Sequence, residues 1–199
     1  MIVIIDYKIG NMLAIKNIIA NIGHEALISN NIKDISLASK LILSGVGAYD
    51  NGINNLKKLN LFELIEKKVL IDKTPILGIC LGMQLMANNS EEGEQTGFGW
   101  IDATVKQFEK ESCTTSIPVM GWNYIENIKP NTLIFQEKQR YYFAHSYYFP
   151  KETKESIAIA NVGIDYCAAF QKENIFGVQF HPEKSHNYGK NLFRKFCEM

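Results

Sequence analysis

A cysteine framed by glycines, Gly78-Ile79-Cys80-Leu81-Gly82, follows the apolar run Pro75 to Ile79. A buried strand that feeds a tight turn and then a helix lifts the turn residue out of the sheet, and only small flanking residues leave room for that turn. The start of a helix also favours a negative sulfur. In this setting Cys80 is a candidate nucleophile. Taken alone, the pattern equally suits a small free cysteine packed in a core strand. A second signal is Phe180-His181-Pro182-Glu183, at the end of the apolar run Ile175 to Phe180. Pro182 restricts His181 to extended geometry, and residues two apart in extended chain share a face. Glu183 is therefore expected to hold the His181 ring. By itself this is also consistent with a surface histidine beside a turn. Together, Cys80, His181 and Glu183 form a nucleophile, a base and an orienter, residues that meet only in the fold. A third segment, Ser44-Gly45-Val46-Gly47, offers backbone N–H groups that could receive a developing oxyanion, or it is simply a turn.

The surrounding elements must bring these segments together. Ile2 to Ile5 reads as a strand buried on both faces. A helix opens at Gly10-Asn11, with Asn11 as its cap, and Ile15, Ile18, Ile19 and Ile22 keep helical spacing up to Gly23. Glu25 to Ser29, Leu41 to Leu43 and Pro75 to Ile79 read as further strands, with helical signals over Leu61 to Leu70 and Met83 to Ala87. The later chain reads as strands at Ile101 to Phe108, Arg140 to Phe149, Ser156 to Asn161, Cys167 to Gln171 and Ile175 to Phe180, followed by a helix from Tyr188 to Glu198. Alternating strands and helices predict a parallel sheet with helices on both faces, extended by antiparallel hairpins. The expected class is a three-layer α/β fold with a mostly parallel central sheet and an antiparallel extension.

The chain has 199 residues, of which 46% are hydrophobic and 21% charged. At about 150 residues per domain, this length suits a single domain over 1–199, large enough to bury a core without cross-links. Lys and Arg together number 21, as do Asp and Glu, so the net charge is zero. That argues against nucleic-acid binding, which normally needs a basic surplus, and Arg140 and Arg194 are the only arginines. The N-terminal segment lacks the basic flank of a signal peptide, and no apolar run approaches the ~20 residues that span a bilayer. Cys80, Cys113, Cys167 and Cys197 are scattered, without metal-ligand spacing. A cytoplasmic protein with no membrane association, metal or organic cofactor is expected.

The ensemble of motifs resembles the class I glutamine amidotransferases, and within them the glutaminase subunits of imidazole glycerol phosphate synthase in histidine biosynthesis. The resemblance is carried by Asp6-Tyr7 with Gly10-Asn11, Gly45-Val46-Gly47-Ala48, the cysteine segment through Gln84-Leu85, Ser90-Glu91-Glu92-Gly93, Met120-Gly121-Trp122-Asn123, His145-Ser146-Tyr147-Tyr148, and Gly177 through Ser185. It implies that Cys80 attacks the carboxamide of glutamine, that His181 moves the proton and that Glu183 orients it. Leu81 with Val46 or Gly47 would supply the oxyanion hole. Gln84, Glu92, Ser146 and Tyr147 would hold the substrate. Glu92 would meet the ammonium of glutamine, although the acidic stretch Glu91 to Glu94 also suits a solvated face. His145 reads as structural, and His24 and His186 carry no signal.

A glutaminase that feeds a synthesis needs an acceptor site, and a single domain of this length leaves no room for one. The resemblance implies a (β/α)8-barrel cyclase as partner in a heterodimer, with Asn11, Trp122 and Lys184 at the interface. Trp122, read as part of a Gly-Trp-Asn turn, suits either a docking anchor or a core position. Three residues depart from the family pattern: Ser44 stands where proline is usual, Lys8 where glycine is usual, and Val119 where histidine is common. Lys8 and Val119 fall in segments expected near the partner. They keep open a paralogous reading, in which the ammonia goes to an enzyme aminating nucleotide-linked sugars for surface polysaccharides. A stand-alone cysteine hydrolase is a further alternative.

Overall fold

The computed structural model describes residues 1–134 and 138–199. The first half lays down β1 (Ile2–Ile5), α1 (Met12–Asn21), β2 (Ala26–Ser29), α2 (Ile32–Ser36), β3 (Lys40–Gly45), α3 (Tyr49–Lys58), α4 (Phe62–Leu70), β4 (Ile76–Cys80), α5 (Leu81–Gln84) and β5 (Ala87–Ser90). The second half adds β6 (Ile101–Gln107), β7 (Val119–Asn127), β8 (Lys138–His145), β9 (Tyr147–Pro150), β10 (Ser156–Asn161), β11 (Asp165–Lys172), β12 (Ile175–Val178) and α6 (His186–Glu198), with short 3-10 turns at Lys110–Ser112 and Pro182–Lys184. Strands β2, β1, β3, β4 and β12 run side by side and parallel. From β12 the sheet continues antiparallel through β11, β10, β7 and β8. A branch leaves β11 through β9 and β6 to β5.

Strand alternation sorts the core into two layers. Ile2 and Ile4 of β1 face Ile15 and Ile19 of α1 and Leu192, Phe193 and Phe196 of α6. Val3 and Ile5 face the opposite side, with Ile35, Ile53, Leu56, Ile65 and Val69 of α2, α3 and α4. This is the three-layer arrangement expected of strands buried on both faces. Helix α1 begins as its sequence dictates: the Asn11 side chain accepts from the Ala14 N–H at 3.3 Å, and Gly23 follows the last turn at φ +87°.

Four segments differ from expectation. Helix α3 is poor in helix-forming residues, yet Tyr49, Ile53 and Leu56 keep one apolar face and all are buried. Its start is tied down from outside, because the Asp50 carboxylate accepts from the N–H groups of Glu94 and Gln95. The helix expected at Met83 to Ala87 is instead the single turn of α5, and Ala87 already belongs to β5. The Gly-Trp-Asn turn is the middle of β7, where Met120, Trp122 and Tyr124 alternate outward. The single strand expected over Arg140 to Phe149 breaks at Ser146, where the chain leaves its pairing with β7 to pair with β6 and β11.

The elbow after β4 depends on two glycines. A Cβ on Gly82 would fall on the Leu43 carbonyl of β3, and one on Gly78 would lie 2.8 Å from the Gly82 oxygen and 2.7 Å from the Met86 methyl. Gly82→Ala must therefore push α5 away from β3. It is expected to destabilise the fold by about 1–3 kcal/mol, the usual range for overpacking. Denaturant unfolding checks this, and an unchanged midpoint would contradict the crowding.

Candidate active site

Three neighbouring parallel strands end side by side, and their ends make the site. Register pairs Gly45 with Cys80 and Val178 with Ile79, so the residues just beyond the strands converge. Ligand sites in open α/β sheets lie at such carboxyl ends. A cavity of about 360 Å3 opens here, lined among others by Val46, Gly47, Cys80, Leu81, Glu92 and Ser146. That is within the range of roughly 300–1,000 Å3 common for small-molecule sites.

Cys80 sits at φ +52°, ψ −111°, a conformation an L-residue adopts only under constraint. It is buried and unbonded to other cysteines. Its sulfur lies 3.8 Å from the Ala144 carbonyl of β8, and the Gln179 amide nitrogen lies 3.7 Å from the sulfur. The helix leaving the elbow has only four residues, so its first N–H groups matter locally and a long helix dipole is absent.

His181 is 1% exposed. Its Nδ1 faces the Glu183 carboxylate at 2.8 Å, as expected, but not through continuous strand. Strand β12 stops at Val178, and Glu183 lies in the 3-10 turn Pro182–Lys184. His181 itself is extended, as Pro182 requires. The backbone is strapped to the sheet: the His181 N–H donates to the Tyr142 carbonyl at 2.8 Å, the Tyr142 N–H donates to the Ser185 hydroxyl at 3.0 Å, and that hydroxyl donates to the His181 carbonyl at 2.6 Å. Burial alone would push the His181 ring down, but Cys80 and Glu183 outweigh it and raise the ring to about 10. The raised ring can therefore accept and hold a proton, as the base serving a cysteine nucleophile needs.

The remaining expected residues line or flank the cavity. Glu92 is not a solvated carboxylate. It turns inward and accepts from the Tyr49 N–H at 3.0 Å, and burial raises its pKa; its neighbour Glu91 takes the surface ion pair with Lys106. Gln84 is buried, and its amide nitrogen lies 3.0 Å from both the Tyr147 carbonyl and the Gln179 side-chain oxygen. Ser146 and Tyr147 lie where β8 gives way to β9 and border the same cavity.

Three residues expected at a partner interface are at the surface. Asn11 and Lys184 are exposed, and Trp122 is 37% exposed. The Trp122 ring stacks on His186 at 5.3 Å, with the Arg140 guanidinium 4.9 Å from its centre. Lys184 lies over Tyr142, whose ring meets Trp122 edge-on. His186 thus has a role that no motif signalled. Of the departures, Lys8 sits at φ +69°, where glycine would be at ease, and Asp6 accepts from both its backbone N–H and its ammonium. Val119 is buried opposite His145, in the strand whose neighbours Met120 and Trp122 face outward. Ser44 is buried within β3. Among the described residues no group of His, Cys, Asp or Glu is placed to hold a metal ion.

No motif in the sequence assigns Gln179 or Ser185 a functional role. Gln179 is two residues before His181, and a polar residue at that spacing inside an apolar run was the available signal. His145, read as structural, is fully buried beside the cavity. Its Nδ1 faces the Tyr147 carbonyl at 2.8 Å, so that nitrogen carries the hydrogen, and its Nε2 has no hydrogen-bond partner. Burial pushes His145 down to about 4. Between pH 6.5 and about 4 the unfolded chain takes up this proton and the folded chain does not. Stability from this group is present above 6.5 and falls by about 3 kcal/mol as pH drops through that window. The raised His181 has the opposite sign, losing stability as pH rises above 6.5. Denaturant titrations should show a flatter acid limb in His145→Gln than in the unsubstituted chain, and identical acid limbs would contradict the assignment.

A family model described as Glutamine amidotransferase class-I matches residues 3–199. A protein of Methanococcus maripaludis named imidazole glycerol phosphate synthase subunit HisH 2 is 50% identical over 100% of this chain and 99% of its own. One of the same name from Pseudomonas aeruginosa is 41% identical over 100% of both chains. Among solved structures, a glutamine amidotransferase crystal structure superposes with a TM-score of 0.76 at 18% identity, covering 98% of this chain and 97% of that one. The PurLQS structure from Thermotoga maritima matches with a TM-score of 0.71 at 15% identity, over 99% and 97% of the two chains; at such identities the likeness speaks for the fold. With its family model spanning nearly every residue and its relatives matching end to end, the chain belongs to the class I glutamine amidotransferases.

Proposed function

We propose that this chain is the glutaminase subunit of an imidazole glycerol phosphate synthase, acting as one domain that hydrolyses glutamine to glutamate and passes the ammonia to a (β/α)8-barrel cyclase partner in histidine biosynthesis. The observation that carries the chemistry is the strained Cys80 at the floor of the cavity, with the buried His181–Glu183 pair beside it. The names of the full-length relatives support the pathway.

The reaction divides into two halves. The Cys80 sulfur, its proton passed to His181, attacks the carboxamide carbon. The carbonyl oxygen becomes an oxyanion and is received by the N–H of Leu81 and by that of Val46 or Gly47. Collapse breaks the C–N bond, His181 gives its proton to the departing nitrogen, and ammonia leaves a glutamyl thioester. Water then attacks, His181 accepts its proton, and the second tetrahedral intermediate expels the Cys80 thiolate and glutamate. Glu183 keeps the ring oriented and its charged form favourable. Glu92, half-buried in the cavity wall, would pair with the ammonium of glutamine. Main-chain donors near Ser146 and Tyr147 would take its carboxylate, and Gln84 keeps an oxygen for the substrate.

Released ammonia has to reach an acceptor, so the cyclase should dock over the cavity mouth. Trp122, flanked by His186 and Arg140, has the half-exposed aromatic character of an interface anchor, and Asn11 and Lys184 would flank it. No described helix is long and apolar enough to cross a membrane; the proposed reaction takes place in the cytoplasm, beside the cyclase.

The reading is tested by glutamate release from the purified chain, with and without the histidine-pathway cyclase and its ribonucleotide substrate analogue. Ligand-dependent acceleration is expected. Cys80→Ala should abolish release, and turnover surviving in that variant would sink the mechanism. His181→Asn should cost about 10²–10⁴-fold, the range of general acid–base catalysis. Trp122→Ala should weaken the complex by about 30-fold, as an anchor worth about 2 kcal/mol would. If no complex and no activation are found while Cys80 still reacts with a glutamine-like electrophile, the partner is instead an enzyme aminating nucleotide-linked sugars.

A further inference from the structure

Gln179 lies outside the nucleophile, base and orienter, yet it touches the reacting sulfur. It is fully buried at the end of an apolar strand. An amide in such a place needs partners for both its ends. Its oxygen lies 3.0 Å from the Gln84 nitrogen, and its nitrogen lies 3.7 Å from the Cys80 sulfur.

The direction of these bonds follows from one fixed acceptor. The Tyr147 carbonyl can only accept, so the end of Gln84 that lies 3.0 Å from it is the NH2 group. The second hydrogen of that group is aimed at Gln179, which must answer with its oxygen. The NH2 group of Gln179 is then turned towards Cys80. Polarity thus runs from a backbone carbonyl, through two buried amides, to the nucleophile.

We propose that Gln179 is a catalytic hydrogen-bond donor to the Cys80 thiolate and that Gln84 is a positioning residue that locks the Gln179 amide in its donating orientation. The inference rests on Cys80 being the nucleophile. As a thiol, Cys80 donates towards the Ala144 carbonyl at 3.8 Å. Once the proton leaves, that contact becomes repulsive, while the Gln179 N–H now meets a full negative charge and its bond strengthens. The two neighbours therefore pull in opposite directions, and Gln179 is the one that favours the thiolate. Its contribution differs from that of His181. The imidazolium surrenders its proton to the departing ammonia, whereas an amide N–H transfers nothing and stays in place through both half-reactions. It is strongest where the sulfur is an anion: before attack, and again when the thiolate is expelled from the second tetrahedral intermediate.

The test is alkylation of Cys80 by iodoacetamide in the full-length chain, without glutamine, followed across pH by mass spectrometry of the Cys80 peptide. Gln179→Met keeps the side-chain length and removes the donor. It is expected to move the pH of half-maximal alkylation rate upward by about one unit, equivalent to about a tenfold smaller thiolate fraction at lower pH. Gln84→Met should move it in the same direction by less, because Gln179 is then free to turn its oxygen to the sulfur. Purely structural loosening would alter the limiting rate or the unfolding midpoint and leave this pH unchanged. An unmoved midpoint in folded Gln179→Met overturns the donor role, and an unmoved midpoint in Gln84→Met overturns the lock; if Gln179→Met does not fold, Gln84→Met decides both. The readout needs no turnover, so failure here is distinct from failure of the glutaminase reading, which would show as glutamate release surviving in Cys80→Ala.

Discussion

The contact between Gly82 and the Leu43 carbonyl sets the rest of the site. Because nothing larger than hydrogen fits there, α5 can start directly against β3, and the chain can leave β4 without a loop. That sharp exit forces Cys80 to φ +52°, a conformation that costs about 1–3 kcal/mol and persists only where neighbours hold it. Its effect is to aim the sulfur at the cavity, level with the end of β3 on one side and the end of β12 on the other. If the elbow were relaxed, Cys80 would be what its burial alone suggests, a small core residue.

The histidine side of the site is built by different means. His181 follows the last residue of β12 by only a short stretch, yet its position is fixed from β8, on the far side of the antiparallel half. The carbonyl and N–H of Tyr142 receive the His181 N–H and bond the Ser185 hydroxyl, and Ser185 closes the loop on the His181 carbonyl. These bonds also consume hydrogen-bonding groups on the outer edge of β8, the side not paired with β7. The ring of the same Tyr142 meets Trp122 and lies under Lys184. One residue thus contributes its backbone to the catalytic segment and its ring to the surface where a partner is proposed to dock.

Charge in this cavity is managed by burial and by fixed acceptors. The Tyr147 carbonyl faces both His145 and Gln84. It keeps His145 in a single neutral tautomer, so of these two buried rings it is His181, beside the sulfur, that is positioned to carry a proton. It also orients the Gln84 amide and, through it, the Gln179 amide that reaches Cys80. Glu92, drawn out of an acidic surface stretch by the Tyr49 N–H, adds a carboxylate to the lining of the same cavity. In the proposed reaction, these are the groups that would meet the ammonium and the carboxamide of glutamine.

The sequence by itself determined the elements whose signals are local: the apolar strands of the parallel half, the Asn11-capped helix, the glycine-framed cysteine and the His-Pro-Glu segment. Each is a matter of steric room, helical spacing or a proline's fixed geometry, all readable within a few residues. Tertiary structure decided what local signals do not carry. Helix α3, with Asn and Gly in place of strong helix formers, exists because Tyr49, Ile53 and Leu56 find a core and Glu92 and Asp50 tie its surroundings down. Strand β7 overrides the turn signal of Gly-Trp-Asn through its long pairing with β8, and the break at Ser146 arises because β8 and β9 pair with different strands. The interior role of Glu92, the stacking of His186 on Trp122 and the approach of Gln179 to the sulfur all depend on which strand ends lie side by side. That is set by long-range packing, and no window of the sequence contains it.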